Sequence, residues 1–211
     1  MAGEAVDKLI AQGIAQGIAP GTLWRGRGQR QQVGRVEPTG WPVLDECLGG
    51  GWPRGAVCEL LSHGHKGLSL LLPLLARLSR DERWLAWVGP PYLPFAPALA
   101  AARVELQRIL LVAEEDAAQC LWAVEQLLRS PSCAVVLAWP AQMQPAQVRR
   151  LQLAAEQGGG IGVLFRPLRA TGQASPAALR LRVMPSPIGL DVAVQKRRGG
   201  WGGQQCSVPL G

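Results

Sequence analysis

The sequence predicts an α/β fold in which a mainly parallel β-sheet carries helices on both faces and ends in an antiparallel pair of strands. Three observations support this prediction. Short apolar runs alternate with helical patterns between residues 56 and 166, as in sheets whose strands are buried on both faces. Two segments of alternating polar and apolar residues follow, joined by a turn that contains Pro and Gly. Finally, 48% of the 211 residues are hydrophobic, which is enough for one buried core.

The individual elements follow from these patterns. Parallel strands are predicted at 56–61, 84–89, 108–112, 134–139 and 161–165, and the antiparallel pair at 178–184 and 190–196. Helices are predicted at 67–80, about 95–103, 115–130 and 145–157. The helix at 115–130 has the clearest apolar stripe, which includes Leu121, Trp122 and Val124. It begins with acidic residues, which interact favourably with the helix dipole.

Changes in composition predict three regions. Residues 1–36 are expected to form an N-terminal arm and linker, residues 37–198 the α/β domain, and residues 199–211 an irregular C-terminal tail. In the arm, Leu9, Ile10 and Ile14 have the spacing of one face of a short helix. The linker is rich in Gly, Arg and Gln, which is typical of a surface loop.

Neither a membrane span nor a secretory signal is predicted. The longest apolar run falls far short of the roughly 20 residues that a bilayer span requires. The N-terminus lacks the basic-then-apolar order of a signal peptide, so we expect a cytoplasmic protein. The five cysteines form no CxxC pair and do not cluster with His at metal-ligand spacing. Reduced, mostly buried thiols are therefore expected, without a metal site.

The stretch "SHGHKGLS" after the first strand resembles a damaged phosphate-binding loop. A working loop reads G-x-x-x-x-G-K-[ST]: its glycines let the backbone enclose phosphate, its lysine contacts the β- and γ-phosphates, and its hydroxyl holds Mg²⁺. The second glycine and the hydroxyl persist as Gly67 and Ser69, whereas Ser62 replaces the first glycine and Leu68 the lysine. Gly64, His65 and Lys66 complete the loop, in which a histidine or Lys66 would have to contact phosphate from another direction.

The acids that nucleotide hydrolysis requires are missing from the sequence as well. The strand at 134–139 ends in Trp139 and Pro140, where an acid that holds Mg²⁺ is usual, and "GPPYLP" after the second strand provides no acid to activate water. Loss of the lysine alone removes a charge-assisted contact worth roughly 1.5–3 kcal/mol. We therefore predict a protein that is not an enzyme, with no catalytic residues and no cofactor.

The segment "TGWPVLDECLGGGWPRGAVCELL" at 39–61 resembles the part of the RecA family that leads into the phosphate loop. The residues that carry this resemblance are Thr39, Gly40, Leu44, Asp45, Gly51, Pro53, Arg54, Gly55 and Glu59. It implies a RecA-like core over about 36–198. The connections at 139–147 and 166–177 are short where RecA carries its DNA-contacting loops, which argues against RecA-like filaments on DNA.

The segments "LWRGRG" (23–28) and "PTGWPVLDECLGGGWPRGA" (38–56) are similar to the ImuA family, whose members resemble RecA without its nucleotide chemistry. This resemblance implies a non-catalytic adaptor in SOS-induced mutagenesis, the error-prone translesion DNA synthesis that follows DNA damage. Its implied partners are ImuB, an error-prone DNA polymerase III alpha-type subunit and RecA. A RecA-like sheet without catalysis is well suited to binding other proteins.

Three surfaces are candidates for partner contacts. The first is the N-terminal arm with Leu9, Ile10 and Ile14, which would dock on RecA or on a second copy, or else fold back on its own core. The second is the basic C-terminal region, since nine of 22 Lys and Arg residues but only two of 15 acids follow residue 140. Its residues are Arg180, Arg182, Lys196, Arg197, Arg198 and Trp201, and they would contact DNA or an acidic partner, or form a solvated face. The third is the proline-rich loop "GPPYLPFAP" with Tyr92 and Phe95.

Two other functions compete with the adaptor. A SulA-type cell division inhibitor that binds FtsZ is the principal alternative, because SulA proteins share the lost phosphate site and a similar sheet. An enzyme is the third hypothesis, in which Lys66 and the two histidines act as improvised phosphate ligands.

Overall fold

Ten β-strands and five α-helices lie within residues 35–64 and 66–210, the part of the chain that this computed structural model describes. The strands are β1 (Val36–Glu37), β2 (Trp52–Pro53), β3 (Ala56–Ser62), β4 (Trp84–Val88), β5 (Ile109–Val112), β6 (Cys133–Ala138), β7 (Ile161–Pro167), β8 (Leu179–Ser186), β9 (Gly189–Arg197) and β10 (Gln205–Pro209). The helices are α1 (Pro42–Leu48), α2 (Leu68–Leu78), α3 (Ala96–Ala101), α4 (Ala117–Arg129) and α5 (Pro145–Gly158). Short 3-10 helices occupy Leu106–Arg108 and Leu168–Gly172.

Eight of these strands form one sheet in the order β10-β9-β8-β3-β7-β6-β4-β5. Neighbouring strands from β8 to β5 in this order run parallel, whereas β8, β9 and β10 pair antiparallel. The remaining strands, β1 and β2, form a separate two-stranded sheet. The predicted fold class is confirmed.

The two faces of the large sheet carry different helices. Along β3, Cys58 and Leu60 belong to the core beneath α1, α2 and α3, whereas Val57 belongs to the core beneath α4 and α5. Successive side chains of a strand point to opposite faces, so this alternation places helices on both sides of the sheet. All seven residues of β3 are buried, as expected for a central parallel strand.

The segment that suggested a RecA-like core has a structural role. The backbone N–H of Thr39 donates a hydrogen bond of 2.7 Å to the Asp45 carboxylate, which ties the chain entering α1 to its first turn. Gly51 has a φ of 136°, and a Cβ built there would lie 2.1 Å from the Glu37 carbonyl oxygen. Only glycine therefore allows β1 and β2 to approach each other at this point.

A buried ion cluster joins three adjacent strands. Glu59 of β3 is fully buried, and its carboxylate accepts hydrogen bonds from Arg166 of β7 at 2.9 Å and from Arg180 of β8 at 2.6 Å. Arg180 also donates to the carbonyl oxygens of Gln173 and Ala170, both at 2.8 Å. The cluster thus holds the connection between β7 and β8 against the sheet.

The C-terminal tail differs from the prediction. It was expected to be irregular, but Gln205–Pro209 forms β10, which pairs with β9 and buries Val208 completely. The Gly-rich sequence at 199–203 suggested an irregular tail, but its glycines form the turn between β9 and β10.

Within residues 35–64 and 66–210, no helix has the length and apolar character needed to cross a membrane. The same residues contain no group of three or more His, Cys, Asp or Glu side chains arranged to hold a metal ion. All five cysteines are free, and burial raises the pKa of the Cys58 thiol far above its usual range.

The buried cluster yields a stability prediction. We expect Glu59→Ala to lower the free energy of unfolding by about 3–5 kcal/mol, because it leaves two buried guanidinium groups without their carboxylate. Urea denaturation followed by tryptophan fluorescence measures this change. Asp81→Ala is the control, since Asp81 forms only a half-exposed ion pair with Arg83 and should cost about 0–1 kcal/mol. Equal losses in both variants would contradict the assigned role of Glu59.

Candidate functional site

The loop after β3 keeps the shape of a strand-to-helix turn without the contacts of a phosphate site. The buried Ser62 hydroxyl donates a hydrogen bond of 2.9 Å to the carbonyl oxygen of Lys66, whose side chain is exposed. Gly67 caps α2 with a φ of 118°. Leu68, which stands where a lysine is required, packs against the hydrophobic core. An apolar side chain fixed in this way offers phosphate no charge.

Aromatic rings lie at the ends of the strands where a nucleotide hydrolysis site would have its acids. β6 ends at Ala138 and is followed by Trp139, whose ring stacks on Phe165 of β7 with centroids 4.8 Å apart and planes 6° apart. The ring of Trp87 in β4 lies 5.8 Å from that of Trp139. Aromatic stacking stabilises this edge of the sheet, and the rings provide no ligand for Mg²⁺.

A groove of about 1260 Å³ opens at the C-terminal ends of β4, β5 and β6, between the loop after β4 and helices α4 and α5. Its walls include Tyr92 and Leu93 from the loop, Trp122 from α4, and Met143 and Arg150 from the other side. The C-terminal edge of an open α/β sheet is where such folds usually bind ligands. The groove is therefore the candidate functional site.

Large apolar side chains are exposed around this groove. Tyr92 is 83% exposed, Leu93 79% and Trp122 60%, and Phe95, on the same loop, is 71% exposed. Scattered apolar side chains are common on protein surfaces, but a group of four with two aromatic rings from one loop and a third from a neighbouring helix is not. Such a group is typical of a protein interaction surface, since aromatic residues are enriched at interface cores.

The loop that carries Tyr92 and Leu93 is built to be rigid. Gly89 begins it with a φ of 55°, and a Cβ there would lie 3.1 Å from the Cys120 sulfur, so glycine permits close packing against α4. Pro90, Pro91 and Pro94 have restricted φ angles. The exposed side chains are thus presented with little loss of conformational entropy on binding.

The mouth of the groove is acidic where α4 begins. Asp116 caps the helix by accepting a hydrogen bond of 2.8 Å from the Gln119 N–H, and the Glu114 carboxylate accepts two more, both of 2.9 Å, from the N–H groups of Glu115 and Asp116. Burial, followed by the nearby charges of Glu114 and Asp116, raises the pKa of the Cys120 thiol. The raised pKa favours the neutral thiol, which is less reactive than the thiolate.

The basic residue of the groove is held in an ion pair. Arg150 of α5 forms an ion pair with Glu125 of α4, and Arg129 pairs with the same carboxylate at 2.8 Å. Glu125 is buried and links the two helices, and its single negative charge is shared by the two arginines. The groove as a whole is apolar with an acidic rim formed by Glu114 and Glu115.

The basic C-terminal residues do not form one surface. Arg180 is buried in the Glu59 cluster, and Lys196 donates a 2.6 Å hydrogen bond to the Ser175 carbonyl oxygen. Burial, and then the charges of Arg198 and Arg180, lower the pKa of Lys196. Arg198 pairs at 2.8 Å with Glu156, whose pKa this hydrogen bond lowers. The expected basic surface for DNA was wrong for Arg180, because a buried guanidinium that neutralises a carboxylate cannot contact phosphate.

The remaining residues that were predicted as site residues lie in several parts of the chain. Tyr92 and Phe95 lie on the exposed loop, and Arg182 and Trp201 are exposed elsewhere. Leu9, Ile10 and Ile14, and His65 of the phosphate-like loop, lie outside the described residues. Trp122 was expected in the apolar stripe of α4 and not at a binding surface. The stripe is formed by Val124, Leu128 and their neighbours, and Trp122 lies at its border.

The comparisons with known protein sequences give the same family description. A sequence model of the family described as "Cell division inhibitor SulA" matches residues 55–162. A protein named "Cell division inhibitor SulA" from Edwardsiella piscicida is 37% identical over 101 residues, which are 47% of this chain and 60% of that protein. The protein of the same name from Yersinia pestis (strain Pestoides F) is 30% identical over 114 residues, 54% of this chain and 68% of its own length. The chain thus covers less than two thirds of the Edwardsiella protein.

Two solved structures are similar to the chain. The RadB recombinase aligns with a TM-score of 0.63 at 15% identity, over 79% of this chain and 92% of RadB, which shows a shared fold. The crystal structure of SulA from Pseudomonas aeruginosa aligns with a TM-score of 0.44 at 30% identity, over 52% of this chain and 97% of that one.

These matches correct the sequence-based identification. The assignment to the ImuA family was wrong: it depended on segments 23–28 and 38–56, whereas the family match starts at residue 55 and names SulA. The adaptor role in translesion synthesis and the partners ImuB, error-prone polymerase and RecA were wrong for the same reason. The prediction that the chain is not an enzyme is confirmed by a family and relatives that are named as inhibitors.

The phosphate-like loop, which lacks the required lysine, yields a prediction on nucleotide binding. We expect about 5 mM MgATP to change the thermal midpoint of unfolding by less than about 1 °C, whereas a site with a Kd near 0.1 mM would stabilise the protein by about 2.3 kcal/mol. Differential scanning fluorimetry measures the midpoint. Lys66→Ala is the paired variant and should behave in the same way. A rise of several degrees that Lys66→Ala removes would restore the enzyme hypothesis.

Proposed function

Because the chain belongs to the SulA family, we propose that it inhibits cell division in the cytoplasm by binding FtsZ. The observation that carries this proposal is the family match over 55–162, which runs from the strand before the phosphate-like loop to the first residues of β7. FtsZ is the partner that the alternative interpretation of the sequence named. A RecA-like sheet whose phosphate-like loop lacks the required lysine supports binding of another protein better than it supports catalysis.

We propose that the groove at the ends of β4, β5 and β6 is the surface that meets the target. Every residue of this groove except Leu164 lies within the family match, and its exposed side chains Tyr92, Leu93 and Trp122 suit an interface core. The rigid proline loop keeps the ordering cost of binding small. Glu114 and Glu115 at the rim favour a target surface with basic residues, since complementary charge speeds association.

The exposed Trp201 belongs to a competing surface. It is 85% exposed in the turn between β9 and β10, outside residues 55–162. The other residues of that turn, 198–204, are Arg, Gly and Gln. A single exposed ring of this kind gives a target much less apolar contact area than the groove does.

The proposed function predicts a cellular phenotype. Overproduction of the full chain should arrest division and produce long filaments, because inhibitor bound to FtsZ lowers the amount of FtsZ available for division. Microscopy of cell length with and without induction measures this effect. Leu93→Asp should abolish filamentation, whereas Ile188→Asp, a change at a 59% exposed residue far along the chain from the groove, should not. Cells of normal length at high levels of soluble inhibitor would refute the proposed function.

The groove makes a separate prediction on affinity. Trp122→Ala should weaken binding of purified FtsZ about 30-fold, or about 2 kcal/mol, as expected for an aromatic residue at an interface centre. Biolayer interferometry with immobilised inhibitor measures the Kd. Trp201→Ala is the matched control and should change the Kd less than about twofold. If Trp201→Ala has the larger effect, the target binds at the C-terminal surface and the inhibitor function stands.

A further inference from the structure

Two thiols meet where the first helix of the described domain packs against its last strand. Cys47 lies on the buried face of α1 together with Leu44 and Leu48, and Cys206 lies in β10. α1 and β10 are in contact, and Cys206 packs against the core cluster that contains Cys47. The side chains of the two cysteines are in hydrogen-bond contact. Cys47 and Cys206 thus form a thiol pair that connects the two ends of the domain.

The other three cysteines lie in different surroundings. Burial raises the pKa of Cys58, Cys120 and Cys133, and carboxylates raise that of Cys120 further, but a second thiol does not contribute at any of these described residues. Two thiols in contact are the reduced form of a disulfide, because one sulfur can attack the other without a large movement of the chain. The thiol pair is therefore the place where oxidation would join two parts of the fold.

The two members of the thiol pair differ in exposure. β10 is an edge strand that pairs with β9 alone among the described strands, and Cys206 is partly exposed there, whereas Cys47 is only 7% exposed. A small oxidant therefore reaches Cys206 first. Burial, followed by the contact with Cys47, raises the pKa of Cys206 to about 12. The neutral thiol is therefore favoured, and its oxidation at neutral pH is slow.

We propose that Cys47 and Cys206 are a redox modification site, at which a small disulfide such as oxidised glutathione converts the thiol pair into an intramolecular disulfide. Cys206 loses its proton to solvent and attacks one sulfur of the oxidant, which forms a mixed disulfide and releases one glutathione thiolate. Cys47 then loses its proton and attacks the sulfur of Cys206, and the second glutathione thiolate leaves. Both thiolates take up protons, so two protein thiols are oxidised and one glutathione disulfide is reduced to two thiols.

The new bond would fasten the C-terminal strand to the rest of the domain. It closes a loop from α1 to β10 that contains most of the described residues, and a cross-link over a long loop restricts the unfolded chain strongly. We therefore expect the oxidised chain to be more stable than the reduced one, with β10 unable to separate from α1. This proposal does not depend on the target of the inhibitor.

Incubation of the folded full chain with oxidised and reduced glutathione at pH 8 tests the proposal. Thiols that can be labelled after denaturation should fall from the five of the sequence by two, and non-reducing peptide mapping should find Cys47 linked to Cys206. Cys47→Ala should instead accumulate glutathione on Cys206, because the resolving thiol is missing. Cys120→Ala, at a partly exposed cysteine outside the pair, is the matched control and should form the same internal disulfide as the unmodified chain.

Thermal unfolding provides a second readout. The oxidised chain should unfold about 10 °C above the reduced chain, and dithiothreitol should reverse the shift. Cys206→Ala should show no shift after the same treatment, and circular dichroism verifies that each reduced variant is folded. Five free thiols after prolonged oxidation would overturn the proposal. Stable glutathione on Cys206 of the unmodified chain, or a link to Cys47 that forms only in urea, would overturn it as well.

Discussion

The carboxylate of Glu59 is the contact on which the centre of this fold depends. Two arginines from the neighbouring strands reach it in the buried interior, so the register of β3 against β7 and β8 is coupled to a charge balance as well as to packing. A one-residue slip of either strand would move its arginine to the opposite face. Arg180 then extends the cluster to two carbonyl oxygens of the connection between β7 and β8, which contains the 3-10 helix Leu168–Gly172. The antiparallel hairpin of β8 and β9 begins from this fixed point.

Around that centre, the features that would make a nucleotide site have been replaced by packing. Leu68 packs against the core where the lysine of a phosphate loop would stand, and the ring of Trp139, which follows β6, stacks on that of Phe165. The edge where α/β sheets bind ligands is still used, but its opening has moved toward β4, β5 and β6 and is lined with exposed aromatic and aliphatic side chains. The surface proposed to bind the target therefore lies at the same edge of the sheet as the ligand sites of related folds.

Most of the fold could be predicted from the sequence, because apolar runs and turn residues report the period of each element directly. The strand and helix limits between 56 and 197 agree with the prediction to within a few residues. β10 was missed because its strand signal is short and follows a glycine-rich turn, and pairing with β9, not local propensity, forms it.

The loop with Tyr92 and Phe95 was predicted as a surface for partner contacts, whereas Trp122 was not. A residue at the border of a helix stripe is buried or exposed according to its neighbours, which sequence spacing does not specify. Arg180 shows the converse: an alternating strand pattern cannot tell a solvated arginine from one paired with a buried acid.

The packing of Leu68 also bears on how such a protein can be controlled. In a nucleotide-binding relative of this fold, ligand occupancy adds to the free energy of folding and links conformation to the energy state of the cell. Here Leu68 packs against the core at the head of α2, so this position contributes apolar packing to the free energy of folding at every nucleotide concentration. The stability of the described domain is therefore expected to be the same in energy-rich and energy-depleted cells.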